Sequence, residues 1–220
     1  MHFCQTTRPV TKFGTVTTKS KSEIKMKKVL LLGDSIRMGY CNFVKSELAG
    51  SAEVCFPAEN CRFTQYTLVS LRNWLKETGI PREEIELVHW NNGHWDVAHF
   101  HDDELSLNTP ELYGIMLERI YCHLRKFCPN AQIVFALTTP VTSTKGPAGN
   151  PRSNSEIEKY NAVAVEVMNK LGVRINDLYS LTKESISDDL YADFCHFTPE
   201  GYQILGKQVI KVIKETLDMP

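Results

Sequence analysis

Apolar residues recur along this chain in two patterns. Short unbroken runs end in glycine or polar residues, as buried parallel strands do. Val29 to Leu32 stops at Gly33, Ala52 to Phe56 at the polar stretch 57–60, and Ile85 to Trp90 at Asn91-Asn92-Gly93. Ile133 to Leu137 stops at Thr138-Thr139-Pro140, and Val173 to Ile175 is a fifth, shorter run. Between them apolar residues return at helical spacing. Ser35 to Leu48 closes at Gly50, and Leu68, Leu71, Trp74 and Leu75 precede Gly79 and Pro81. Leu112, Ile115, Met116, Ile120 and Leu124 share one face after Pro110, and Ile157 to Leu171 stops at Gly172. Thr198 is placed to cap a last helix with Pro199 at its first position, and Tyr202, Leu205, Val209, Val212 and Ile213 form its apolar face.

Strands alternating with helices predict a three-layer α/β fold, a flavodoxin-like doubly wound parallel sheet of five strands in one domain over 26–220. Residues 1–25, rich in Thr, Ser and Lys without apolar periodicity, read as an extension ahead of Met26 rather than a folded element. They lack the basic, apolar and small-residue order of a secretory signal, and one arginine, Arg8, is thin support for an organelle transit peptide. No apolar run approaches the ~20 residues of a membrane span. A net charge of -1 gives no footprint for nucleic acid or an anionic membrane. Seven cysteines, an odd number without C-x-x-C or zinc spacing, predict reduced thiols in a cytoplasmic protein.

In open α/β sheets ligands bind beyond the carboxyl ends of the strands. That rule gathers Asp34-Ser35, Glu59-Asn60-Cys61, Asn91-Asn92 and Thr138-Thr139 on one rim. A serine at a helix N-terminus there is placed to be a nucleophile, because free amides and the helix dipole favour negative charge developing beside it. A hydroxyl still needs a base. Asp193-Phe194-Cys195-His196 sets a carboxylate three residues before an imidazole. At that spacing the acid reaches one ring nitrogen and leaves the other to take the serine proton. The G-x-S-x-G elbow of the α/β-hydrolases is absent, so a triad of Ser35, Asp193 and His196 implies another scaffold.

These residues resemble the SGNH (GDSL-type) hydrolases over about Lys27 to Leu217. Gly33-Asp34-Ser35 looks like their nucleophile block, Asp193 to His196 like their D-x-x-H block, and Asn91-Asn92-Gly93-His94-Trp95-Asp96 like an N-x-G-x-x-D form of the third. The resemblance implies a cofactor-free serine esterase in which Asn91, or Asn92 if the block shifts by one, donates to the oxyanion. Its second block supplies a glycine amide to the same hole. The stretch Glu59 to Thr64 has no glycine, and the Cys61 backbone N–H is the expected substitute.

Other polar residues are weighed against plainer roles. Ser35 alone is a fair helix cap, Asp193 and His196 a fair structural pair, and Asn91 a fair turn residue. Arg37 and Arg62 read equally as contacts for an acidic or hydroxyl-rich substrate and as halves of surface ion pairs. His89, His94, His99, His101, Asp102 and Asp103 cluster in sequence without metal-ligand spacing, so packed or solvated histidines are expected and no metal. Cys61 and Cys195 read as buried inert thiols beside the site. The segment from His94 to Asp103, with Trp95, and the loop 141–155 are expected to wall the site with polar groups. That points to a small-molecule ester of short acyl chain, of the kind an acylated carbohydrate presents. The competing readings are an acyltransferase, a lipase or thioesterase on the same scaffold, and a carbohydrate-binding module without catalysis.

Overall fold

The computed structural model describes residues 26–146 and 149–220. The expected extension at 1–25 and two residues of the loop 141–155 therefore lie outside the described residues. Five strands, β1 (Lys27–Leu32), β2 (Ala52–Cys55), β3 (Leu87–Trp90), β4 (Gln132–Ala136) and β5 (Arg174–Asn176), form one sheet in the order β2-β1-β3-β4-β5. Every pairing is parallel, with Leu32 opposite Trp90 and Trp90 opposite Phe135 at the carboxyl ends. The order reverses between β1 and β3. Ligands bind at such a switch point because the two crossovers leave on opposite faces and open a crevice.

The central strands β1, β3 and β4 are buried on both faces because successive side chains feed two different cores. Leu30, Leu32, Val88, Trp90, Ile133 and Phe135 pack under α2 (Thr64–Glu77), α3 (Pro110–Phe127) and α4 (Asn154–Lys170). Val29, Leu31, Leu87, Val134 and Ala136 pack under α1 (Ser35–Glu47) and α6 (Pro199–Thr216). The α/β architecture is as the apolar runs predict, with strand ends displaced by one or two residues. Between β5 and α6 lies α5 (Leu178–Ser185), an eight-residue helix that the apolar pattern does not announce. Asp177 caps it by accepting from the Ser180 amide at 2.9 Å, and Leu178 fills the second core. No helix among the described residues is long and apolar enough to cross a membrane.

Candidate active site

β1 ends at Leu32, and Gly33-Asp34 turns the chain into α1, whose first residue is Ser35. Asp34 is the cap: its carboxylate accepts from the Ile36 amide at 3.0 Å. It is fully buried, and that burial pushes its pKa up while hydrogen bonds from the Asn91 side chain and the Ile36 amide pull the other way. Ser35 N–H, in the first turn, has no partner within the helix.

The opposing groups come from the segment before α6. An antiparallel bridge between Tyr191 and Phe197, with the Ala192 amide donating to His196 O at 2.8 Å, pinches residues 191–197 into a tight loop. Inside it Asp193 Oδ1 accepts from the amides of Cys195 (2.9 Å) and His196 (2.7 Å). Burial pushes the Asp193 carboxyl up, but these amides and the His196 ring outweigh it and lower the pKa from an ordinary 3.8 to about 2. Asp193 is therefore an anion at neutral pH, and its Oδ2 accepts from His196 Nδ1 at 2.7 Å. That bond fixes the proton on Nδ1 and leaves Nε2 as an acceptor for Ser35 Oγ, 2.7 Å away. Residues 161 positions apart in the chain thus meet in one hydrogen-bonded chain.

Ser35 and His196 open into a cleft of about 160 Å³. Asn60, His94, Trp95, Arg152 and Phe194 line it. His94 is buried, its Nε2 is 2.9 Å from Thr139 Oγ1, and burial holds its pKa well below the ordinary value, so the ring is neutral. Asn91 lies behind the serine. Its side chain rests on Gly33 so closely that a Cβ built there would meet Asn91 Oδ1 at 1.9 Å.

Several expected site residues do other work. The Cys61 amide donates to Gly33 O at 3.0 Å, so it is committed to the β1–α1 turn and is not a free donor to the cleft. Asn60, one residue earlier, lines the cleft instead. Its side chain accepts from the Arg62 amide at 2.7 Å, and among the described residues no acceptor engages its own backbone N–H. Asn92 is buried and spent: Oδ1 accepts from Trp90 Nε1 at 2.6 Å, and Nδ2 donates to Arg62 O and Thr67 Oγ1. It braces the loop after β2 and is not among the residues that line the cleft. Arg37 is neither a substrate contact nor a surface ion pair. At 1% exposure it donates to the carbonyls of Gly33, Pro57 and Glu59, tying the serine turn to the loop after β2. Arg62 is exposed, with positive φ, and its guanidinium lies 4.8 Å from the Tyr66 ring and 5.9 Å from that of Trp95, at the rim.

The histidines disperse. His89 is inside the sheet, accepting from Asn176 Nδ2 with its pKa lowered by burial to about 4, and His99 Nε2 pairs with Glu156 at 2.7 Å. Among the described residues the group close enough to hold a metal is Asp193, Cys195 and His196, whose imidazole and carboxylate are already engaged with each other. Of the cleft residues, Phe194 was not singled out by sequence reasoning, whereas Arg152 belongs to the loop 141–155 that was expected to wall the site. Asn60 carried a signal, a polar position at the end of β2 on the predicted rim.

Comparison with known proteins fits this geometry. A GDSL esterase/lipase of Arabidopsis thaliana is 24% identical over 110 residues, 45% of this chain and 42% of the relative, so the match spans less than half of that protein. The crystal structure of a lipase/acylhydrolase from Enterococcus faecalis superposes with a TM-score of 0.68 at 23% identity, over 86% of this chain and 96% of that one. An acetyl xylan esterase structure gives 0.67 at 14% identity, over 84% and 99%. At these identities the likeness speaks for the fold. The family model of the GDSL-like lipases and acylhydrolases, however, matches residues 31–204, from within the first strand through the D-x-x-H loop into the last helix. With that span covered, the chain belongs to the GDSL-like lipase/acylhydrolase family of ester hydrolases.

Proposed function

We propose that this protein is a serine esterase that hydrolyses short-chain acyl esters of a hydroxyl-rich alcohol, with Ser35 as nucleophile, His196 as base and Asp193 as its orienting anion. The observation that carries the reading is the unbroken chain Ser35 Oγ, His196 Nε2, His196 Nδ1, Asp193 Oδ2, each contact 2.7 Å. Ser35 attacks the ester carbonyl as its proton passes to His196, and Asp193 stabilises the imidazolium. The oxyanion is received by Ser35 N–H, Asn60 N–H and the Asn91 side-chain amide. His196 then protonates the departing alkoxide, and water deacylates the serine by the same route. About a third of the His196 side chain is exposed, which favours water over a sequestered alcohol as acceptor.

The small volume of the cleft supports a short acyl group, and the acetyl xylan esterase among the similar structures is consistent with a deacetylase acting on a sugar. The test is ester turnover and labelling by a fluorophosphonate. Ser35→Ala and His196→Ala should each lose at least ~10³-fold in kcat while remaining folded, since triad members act as a unit. Labelling should vanish in Ser35→Ala. A folded Ser35→Ala protein with near-wild-type turnover would sink the mechanism.

A further inference from the structure

Arg152 is a cation that stands in the cleft wall. Its guanidinium lies 5.0 Å above the Phe194 ring, one Nη donates to His94 O, and Nε is buried with no partner. Among the described residues no carboxylate pairs with it. The acids that feel it most are already engaged, Asp34 as the cap of α1 and Asp193 with His196. The side chain is half-buried, and a buried guanidinium N–H left without an acceptor is costly, so such a group is ordinarily paired. Its pKa is pulled down by burial, as expected of a cation short of opposite charge.

Its position says which part of a substrate meets it. His196 must hand its proton to the departing oxygen, so the alcohol half lies on the side of the Phe194–His196 segment, where Arg152 stacks. The oxyanion donors, Asn60 and Asn91, come instead from the loops after β2 and β3. Beyond Arg152 and Phe194, which it shares as wall residues, a second cavity of about 620 Å³ continues between the loop after β4 and α5. Thr142, Ser143, Thr144 and Lys183 line it. There is room and polarity for an alcohol much larger than a methyl or ethyl group.

We propose that Arg152 is a specificity residue that binds a carboxylate on the alcohol half of the substrate, so that the preferred esters are those of hydroxy acids of the acidic-sugar kind. The proposal rests on the esterase reading for which half leaves, but the recognition is a binding event that can be read without turnover. A planar fork of donors matches a carboxylate in two parallel bonds.

The experiment uses a matched pair, O-acetyl galacturonate and O-acetyl galactose, which differ in the carboxylate. Arg152→Gln should lower kcat/KM for the acidic ester about tenfold to a hundredfold more than for the neutral one, the range of a charge-assisted pair. Arg152→Lys, which keeps charge but not the fork, should fall between. The preference for the acidic ester should shrink as salt is raised. In parallel, calorimetric titration of galacturonate and galactose into the Ser35→Ala protein reads binding alone, and galacturonate should bind more tightly unless Arg152→Gln is added. Equal losses on both esters together with equal binding of the two sugars would show that Arg152 merely braces the His94 loop, and would overturn the proposal. Arg152-dependent binding of galacturonate without turnover of either ester would uphold it while overturning the esterase reading.

Discussion

Gly33→Ala is the substitution whose consequence the geometry specifies most tightly. The new methyl carbon would stand 1.9 Å from Asn91 Oδ1 and 2.8 Å from both Asn91 Cγ and Arg37 Cβ. Unstrained contacts need about 3.5 Å, so the Asn91 amide must swing by roughly 1.5 Å. Arg37 Cβ has little freedom to yield, because its guanidinium is tied to three carbonyls and its backbone is within α1. If Asn91 donates to the oxyanion, a displacement of that size should cost about 10²–10³-fold in kcat, the loss typical of one oxyanion donor. KM should change little. Overpacking should also cost about 1–3 kcal/mol, or about 2–12 °C of melting temperature for a chain of this size. The decisive assay is a double-mutant cycle on p-nitrophenyl acetate. Asn91→Ala removes the nearest colliding atoms along with the donor and leaves the 2.8 Å approach to Arg37 Cβ to act on stability, so Gly33→Ala in that background should leave kcat within about threefold of Asn91→Ala alone. A single Gly33→Ala protein within about fivefold of wild type, or losses that multiply in the double variant, would refute the reasoning.

Asn92→Ala should separate from Asn91→Ala: it strands Trp90 Nε1 and takes a donor from Arg62 O and Thr67 Oγ1, so it should cost about 2–4 kcal/mol in urea unfolding yet less than ~10-fold in kcat. Asp96 is buried, and desolvation outweighs its bonds from Thr64 and Asn108 to raise its pKa from 3.8 to about 6. The folded state therefore holds a proton that the unfolded chain releases, and its contribution to stability is whole below pH 3.8 and is lost as pH rises to about 6. Asp96→Asn should remove that loss, on the order of 3 kcal/mol, and parallel unfolding curves of variant and wild type from pH 4 to 7 would contradict it. Along a p-nitrophenyl ester series, kcat/KM should peak at or below four carbons and then fall about fivefold per methylene, roughly 1 kcal/mol each. A maximum at octanoate would overturn the small-acyl reading.

The fold was legible where a residue's burial is written in its neighbours. β1 and β4 read as buried parallel strands because four or five apolar residues in a row leave no face for water. The helix α5 was not legible: eight residues give barely two turns, too few for apolar spacing to stand out from the surrounding loop. The pairing of Asp193 with His196 was legible because it is local, three residues within one pinched loop. Arg37 could have been placed from the sequence too, since two helical steps carry it about 200° around α1 from Ser35. The choice between the amides of Asn60 and Cys61 could not, because a backbone N–H has no side-chain signature and which of two successive amides faces the cleft depends on the turn. Arg152 sits in a long irregular loop, where spacing carries no information about direction.

The stretch from Asn91 to Asp96 shows how much of a motif can concern assembly rather than chemistry. Read as a catalytic block, it offers an oxyanion donor and little else. In the fold each member holds a different part of the cleft. Asn91 rests on the turn that presents Ser35, and Asn92 braces the loop that carries Asn60. Gly93 leaves space that Thr138 Oγ1 fills, 1.9 Å from where a Cβ would stand. His94 gives its carbonyl to Arg152, and Trp95 forms a wall. Asp96 accepts from the backbone amide and hydroxyl of Thr64, and so caps α2 from 32 residues away where Phe63, the residue at the cap, has no side-chain acceptor to offer. A helix start held by a distant carboxylate fixes the loop before it, and that loop is the one that delivers Asn60 to the cleft. Spacing within the block is therefore constrained by three separate loops at once. Substitutions at Asn92, Gly93 or Asp96 should accordingly loosen the site through those loops, while only Asn91 stands to reach the oxyanion itself.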